Sequence, residues 1–153
     1  MPQPDLAAAG RAIVDGNSYL TIATADRAGR PWASPLWYAH AGYREFFWVS
    51  SPGAQHSRNL AERPQAGVVI FDSQAPIGDP QAVYLTVAAG EVPADQLGQG
   101  IEVFSARSQS HGARKWTLAD VREPAPHRLY RATASECFLL DRLDQRIAVA
   151  VAD

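Results

Sequence analysis

The chain of 153 residues contains one cysteine, Cys137, so no disulfide can form within it. That cysteine lies in the apolar run "SECFLLD", where a thiol is expected to pack as a small core side chain. No segment approaches the roughly 20 apolar residues of a membrane-spanning helix. The start "MPQPDLAAAGRAIVDG" lacks the basic-then-apolar layout of a secretory signal. An excess of one charge is also missing, with 14 basic against 16 acidic side chains, which argues against general nucleic-acid binding. There is no GxGxxG or GxxxxGK[ST], so a dinucleotide-type Rossmann unit or a P-loop is not expected. The four histidines, at 40, 56, 111 and 127, have no HxxxH partner and there is no CxxC, so no metal site is expected. These absences lead to the expectation of a cytoplasmic protein without membrane or nucleic-acid partners.

What the chain does contain is apolar sequence, 46% of its residues, enough for a substantial core. The length suits one domain, expected as an N-terminal helix within 1–16 followed by a barrel with inserted helices over 17–153. Asp5 to Asp15 reads as the helix, with Leu6, Ala9 and Ile13 on one face and Gly16-Asn17 as its stop. Strands are expected at Tyr19–Asp26, across "PWASPLWYAHAG", and at "YREFFWVSS", joined by short turns into an antiparallel meander. Pro35 marks the second of these as an edge strand or the site of a bulge. A helix follows at about Ala54–Arg63. Further strands are expected at Ala66–Ser73, Ala82–Pro93 and Arg128–Asp141, with "QRIAVAVAD" as a possible last one. A helix is expected in "ADQLGQGIEVFSARSQ" despite Gly98 and Gly100, and a short one at Leu118–Arg122. Strands outnumber helices and do not alternate with them. The expected class is mainly β, an antiparallel barrel of six to seven strands with helices packed on it.

One stretch concentrates chemistry. In "EFFWVSSPGAQHSRNLAERP", Glu45 to Pro64, an aromatic strand turns into a helix through two serines and a Pro-Gly pair. A helix start has unpaired N–H groups and partial positive charge, and receives phosphate readily. Ser50 and Ser51 add hydroxyls, and Ser51-Pro52 suits an N-cap with proline in the first turn. His56 and Asn59 share a helix face, and Arg58 supplies a forked cation. The bland reading is an ordinary helix start with solvated side chains. Trp32, Trp37, Tyr38, Phe46, Phe47 and Trp48 crowd the neighbouring strands. They suit a flat ring beside the phosphate, and equally suit core or interface packing. His111, Arg114, Lys115 and Trp116 sit in a loop that could cover a site or simply be solvated. His40 and His127 read as structural.

The order and spacing of "D-x-x-GRP", "SPLWY", "FFWVSS" and "H-S-R-N-L-A-x-x-P" resemble the N-terminal half of the pyridoxamine 5′-phosphate oxidase-like family. These are the FMN-binding split barrels. The likeness covers Tyr19–Ser73 and continues more loosely through "AVYLTVAAGEV" and "HRLYRATASECFLLD". It implies a homodimer with cofactor sites at the interface. Ser34, Pro35, Leu36 and Trp37 would run beside the flavin ring. Val49, Ser50 and Ser51 would contact the flavin chain. His56, Arg58 and Asn59 at the helix start would hold the phosphate. Trp116, from the loop that could cover the site, is a further candidate for cofactor contact. The family's phosphate-binding lysine aligns with His56, and the preceding arginine with Gln55. Where the oxidases carry Arg-x-Val-Leu-Leu-Lys, this chain has "SPLWYA". Its end, "DQRIAVAVAD", lacks their basic substrate segment. The implied activity is therefore an FMN-dependent oxidoreductase acting on a small molecule other than pyridoxamine phosphate, with no catalytic side chain assigned. The alternatives are a deazaflavin-dependent reductase of the same fold and a non-catalytic flavin-binding dimer.

Overall fold

The computed structural model describes residues 5–79 and 82–152. Helix α1 (Leu6–Gly16) starts at Asp5, whose carboxylate accepts from Ala8 N, and gives way to extended backbone at Asn17. Strands β1 (Tyr19–Ala25), β2 (Pro31–Trp37), β3 (Ala39–Ala41) and β4 (Glu45–Ser50) follow, then α2 (Gln55–Glu62), β5 (Gln65–Phe71) and β6 (Ala82–Glu91). Helix α3 (Leu97–Ser110), a 3₁₀ turn (Leu118–Val121), β7 (Arg128–Leu140) and β8 (Arg146–Ala148) complete the described residues. All the pairings are antiparallel, in the order β2-β1-β5-β6-β7-β4-β3, with β8 on the free half of β7.

The expected antiparallel pairings between consecutive strands form, but the second strand is shared between two distant parts of the sheet. The expected second strand breaks at Tyr38, which gives eight strands among the described residues, one more than the upper expectation. Its first half, β2, pairs with β1, and its second half, β3, pairs with β4. These halves are the two ends of the sheet order, so the sheet curls and its ends are joined through Tyr38 itself. The cause is the burial of Tyr38, which is fully inaccessible. Its hydroxyl donates to Val14 O at the end of α1, and its N–H donates to Ser18 O at 3.2 Å. The Arg107 guanidinium lies 5.4 Å from its ring. Pro35 does sit on an edge strand, where its missing N–H costs no ladder bond.

Side chains alternate across the strands, and two cores result. Leu20, Ile22, Leu36, Phe46, Trp48, Val68, Ile70 and Leu85 fill the barrel interior. Phe47, Leu129, Ile101, Phe104 and Val121 form a second layer between the sheet and α3. A methyl group on Gly100 would lie 2.8 Å from Leu129 Cδ2 and 3.1 Å from Phe47 Cε1. The glycine that weakens α3 intrinsically is therefore what lets it approach β4 and β7. On the third side, α1 is fastened to the β3–β4 turn through Asp15, which takes bonds from Tyr43 Oη at 2.6 Å and His40 Nε2 at 2.8 Å. Burial raises the Asp15 pKa, but these two bonds outweigh it and hold the carboxyl below its ordinary value.

The outer face of the sheet remains open. The cross-strand row Pro35–Thr21–Val69–Tyr84–Phe138 runs across five strands, and each member is exposed or half-buried. Phe71 and Tyr19 beside it are 49% and 60% exposed. Among the described residues no helix is long and apolar enough to cross a membrane.

Candidate cofactor site

The end of β4 divides two environments. Phe46, Trp48 and Ser50 point into the barrel, and Phe47 and Val49 point towards α3. Ser50 is 9% exposed, as is His56, and Ser50 Oγ shares a hydrogen bond of 2.9 Å with His56 Nε2. Burial lowers the His56 pKa below its ordinary 6.5, so the imidazole is neutral at pH 7. His56 thus does not provide the cation that a lysine would place here.

Helix α2 begins later than Ser51-Pro52 suggests. Its N-cap is Ala54, with no side-chain cap, because Ser51 Oγ instead accepts from Gly53 N at 3.2 Å within the preceding turn. The first main-chain bond onto α2 is Arg58 N to Ala54 O at 3.0 Å. The N–H groups of Gln55, His56 and Ser57 therefore have no helical acceptor. Arg58 is exposed and donates to Gln55 Oε1 at 2.7 Å. Asn59, 3% exposed, anchors this arrangement. Its Oδ1 accepts from Gln55 Nε2 at 2.8 Å and its Nδ2 donates to Thr24 Oγ1 on β1 at 3.0 Å. First-turn N–H groups, the Ser51 hydroxyl and one guanidinium are a donor set that fits a phosphate.

On the other side of β4, Trp37, Val49 and Trp116 line one pocket of about 390 Å³, together with Phe104, Ser108 and Arg114. The Trp37 ring meets Phe104 edge-on at 5.3 Å, and Phe104 meets Trp116 at 5.6 Å. The loop carrying Trp116 is fixed by Trp116 N to Ser105 Oγ at 2.9 Å and by Ser108 Oγ to Arg114 O at 2.7 Å. Arg114 stacks 4.2 Å from the Trp116 ring and pairs with Asp120 at 2.8 Å. His127 lines the pocket and His111 lies edge-on to Trp37 at 5.8 Å. The walls are apolar, with the polar groups few and mostly bonded internally, as in ligand pockets generally.

The four expected ring neighbours on β2 separate by face. Leu36 is in the core at 6% exposure, Pro35 lies on the open outer face, and Trp37 enters the pocket. Ser34 is half-buried on the inward side and accepts from Trp32 Nε1 at 3.1 Å. Phe104, Ser108 and His127 joined the pocket with no local mark in the sequence. Phe104 could have been found only as an apolar position at helical spacing on α3.

Residues 6–141 match the profile of the family described as pyridoxamine 5′-phosphate oxidase. The chain belongs to this family. No curated protein matches it by sequence. Several solved structures share its fold. A heme-binding protein from Mycobacterium smegmatis aligns with a TM-score of 0.73 at 21% identity, over 99% of this chain and 60% of that one. This chain thus spans about three fifths of that protein's length. The heme storage protein HutZ from Vibrio cholerae aligns with a TM-score of 0.67 at 20% identity, over 84% and 90%. A putative pyridoxamine 5′-phosphate oxidase from Listeria innocua gives 0.65 at 12% identity, over 88% and 98%. The architecture is the split barrel of this family, mainly antiparallel β with three helices.

Proposed function

We propose that this protein binds a phosphorylated flavin, FMN in the simplest case, and acts as an oxidoreductase on a small molecule other than pyridoxamine phosphate. The observation that carries this reading is convergence. Trp37, Val49 and Trp116 come from three separate parts of the chain and line one aromatic pocket. From Val49 the chain runs directly into the Ser50–His56 turn and the open start of α2. The two candidate regions thus lie on either side of the end of β4, and a flavin would have to pass around that end to use both. A bound flavin would supply the redox chemistry. The chain's residues do the rest. Trp37, Phe104 and Trp116 exclude water from the ring. Arg58 and the first-turn N–H groups fix the phosphate. The Ser50–His56 bond holds the turn between them.

The open sheet face supports a homodimer. A row from Pro35 to Phe138 that leaves Val69 and Tyr84 accessible would be covered by a second copy paired about a two-fold axis. The small-molecule site would then lie near that interface, with Pro35 contributing from β2.

A second reading is heme binding. It draws on the two similar structures whose proteins bind or store heme, and on His127 and His111 at the aromatic pocket. The visible spectrum of the purified full chain separates the readings. A retained flavin spectrum, with a phosphorylated flavin released on denaturation, is the expected result. Incubation with a deazaflavin followed by desalting tests the sister cofactor. A Soret band after heme addition with no flavin retained overturns the flavin reading.

A further inference from the structure

We infer that the cleft between the start of β2 and α2 is a nucleobase subsite, so that the protein prefers the adenine dinucleotide form of the flavin to FMN. The inference rests on the flavin reading above and extends the same site. The cleft measures about 280 Å³ and is bounded by Asp26, Arg30, Pro31, Trp32, Gln55 and Asn59. In chain order it adjoins the phosphate cradle directly, since Gln55 opens α2 and bonds Arg58.

Three features meet there. The first is an aromatic plate. Trp32 lies where β2 runs past the barrel core, and it is 52% exposed. Its indole N–H donates to Ser34 Oγ at 3.1 Å, which holds the ring in one orientation without covering it. Stacking on such a ring accepts any base. The second is an oriented amide. Gln55 Nε2 donates to buried Asn59 at 2.8 Å, and Gln55 Oε1 accepts from Arg58 at 2.7 Å. A glutamine amide has two donors and two lone pairs, so one N–H and one acceptor lone pair are left for a ligand. Together they complement the amino group and ring nitrogen on one edge of adenine. The third is charge. Arg30 gives both its main-chain N–H and its Nε to the Asp26 carboxylate, each at 2.9 Å, and so forms a neutralised rim. Arg58 has no carboxylate partner among the described residues, and its charge is left for phosphate. An anion alone would make no use of Trp32, and a purely apolar ring would strand the amide. A base joined to phosphate uses all three.

The test is equilibrium binding of FMN and of flavin adenine dinucleotide to the full chain, its Trp32→Ala variant and its Trp32→Phe variant. The dinucleotide is expected to bind about tenfold tighter than FMN, as one stacked base commonly contributes. Trp32→Ala should remove that advantage and leave FMN affinity within about twofold, and Trp32→Phe should keep part of it. Equal or weaker binding of the dinucleotide by the natural protein overturns the inference, as does Trp32→Ala weakening both flavins alike. If neither flavin binds, the flavin reading itself fails and the inference falls with it.

Discussion

Replacing Ser50 by alanine tests the hinge between the two halves of the site. Ser50 and His56 are each 9% exposed and share one bond of 2.9 Å. Alanine removes the hydroxyl and leaves His56 Nε2 in a place water barely reaches. An unpaired buried polar atom costs about 1–3 kcal/mol. For a chain of this size each kcal/mol lowers Tm by about 2–4 °C, so the expected loss is about 2–12 °C. Thermal unfolding by circular dichroism at pH 7.5 measures it. A pH series supplies the second arm. Burial holds the folded pKa of His56 below 6.5, so below pH 6.5 the unfolded chain binds more protons at this site than the folded one. Stability contributed by neutral His56 is therefore present above the unfolded pKa. It is lost as pH falls from 6.5 through the folded pKa. His56→Gln does not titrate, so its stability should fall less steeply from pH 7 to 5 than that of the natural protein. A Ser50→Ala change below about 0.5 kcal/mol, or identical acid slopes for the natural protein and His56→Gln, would refute the picture of a buried, neutral, hydrogen-bonded histidine.

Three further outcomes are expected. Gly100→Ala should destabilise the fold by about 1–3 kcal/mol, read by urea unfolding, because its methyl group would press on Leu129 and Phe47. A neutral result would mean that α3 is not seated as described. Arg58→Ala should weaken FMN by about 10- to 150-fold, since one charge-assisted bond is worth about 1.5–3 kcal/mol, and should leave riboflavin affinity unchanged. Equal loss for both ligands would remove the phosphate from this helix start. Val69→Lys puts a charge in the centre of the open sheet face. It should convert a dimer to a monomer in sedimentation and lower flavin retention, and an unchanged mass would place any dimer contact elsewhere.

Much of the fold was legible in local sequence. Alternation in β1, β5 and β6, the turn at Gly29 with φ of 85°, and the proline stop after α2 are properties of neighbouring residues. The sequence also carried the family through the spacing of short motifs around the β2, β4 and α2 segments. It marked Val49 as a site residue only by that resemblance, whereas Trp37 and Trp116 were also candidates by residue type. Three things depended on the tertiary structure. The strand break at Tyr38 follows from long-range burial against α1, which no local propensity records. The neutrality of His56 follows from burial beside Ser50, six residues away, while the same histidine in a solvated helix start would titrate normally. The aromatic pocket needs Phe104 and Trp116 brought against Trp37 from the far side of a long loop. Residue type and spacing determine which elements form and which face of each is apolar. Which polar groups lose water, and which aromatic rings meet, is decided only when those faces pack together.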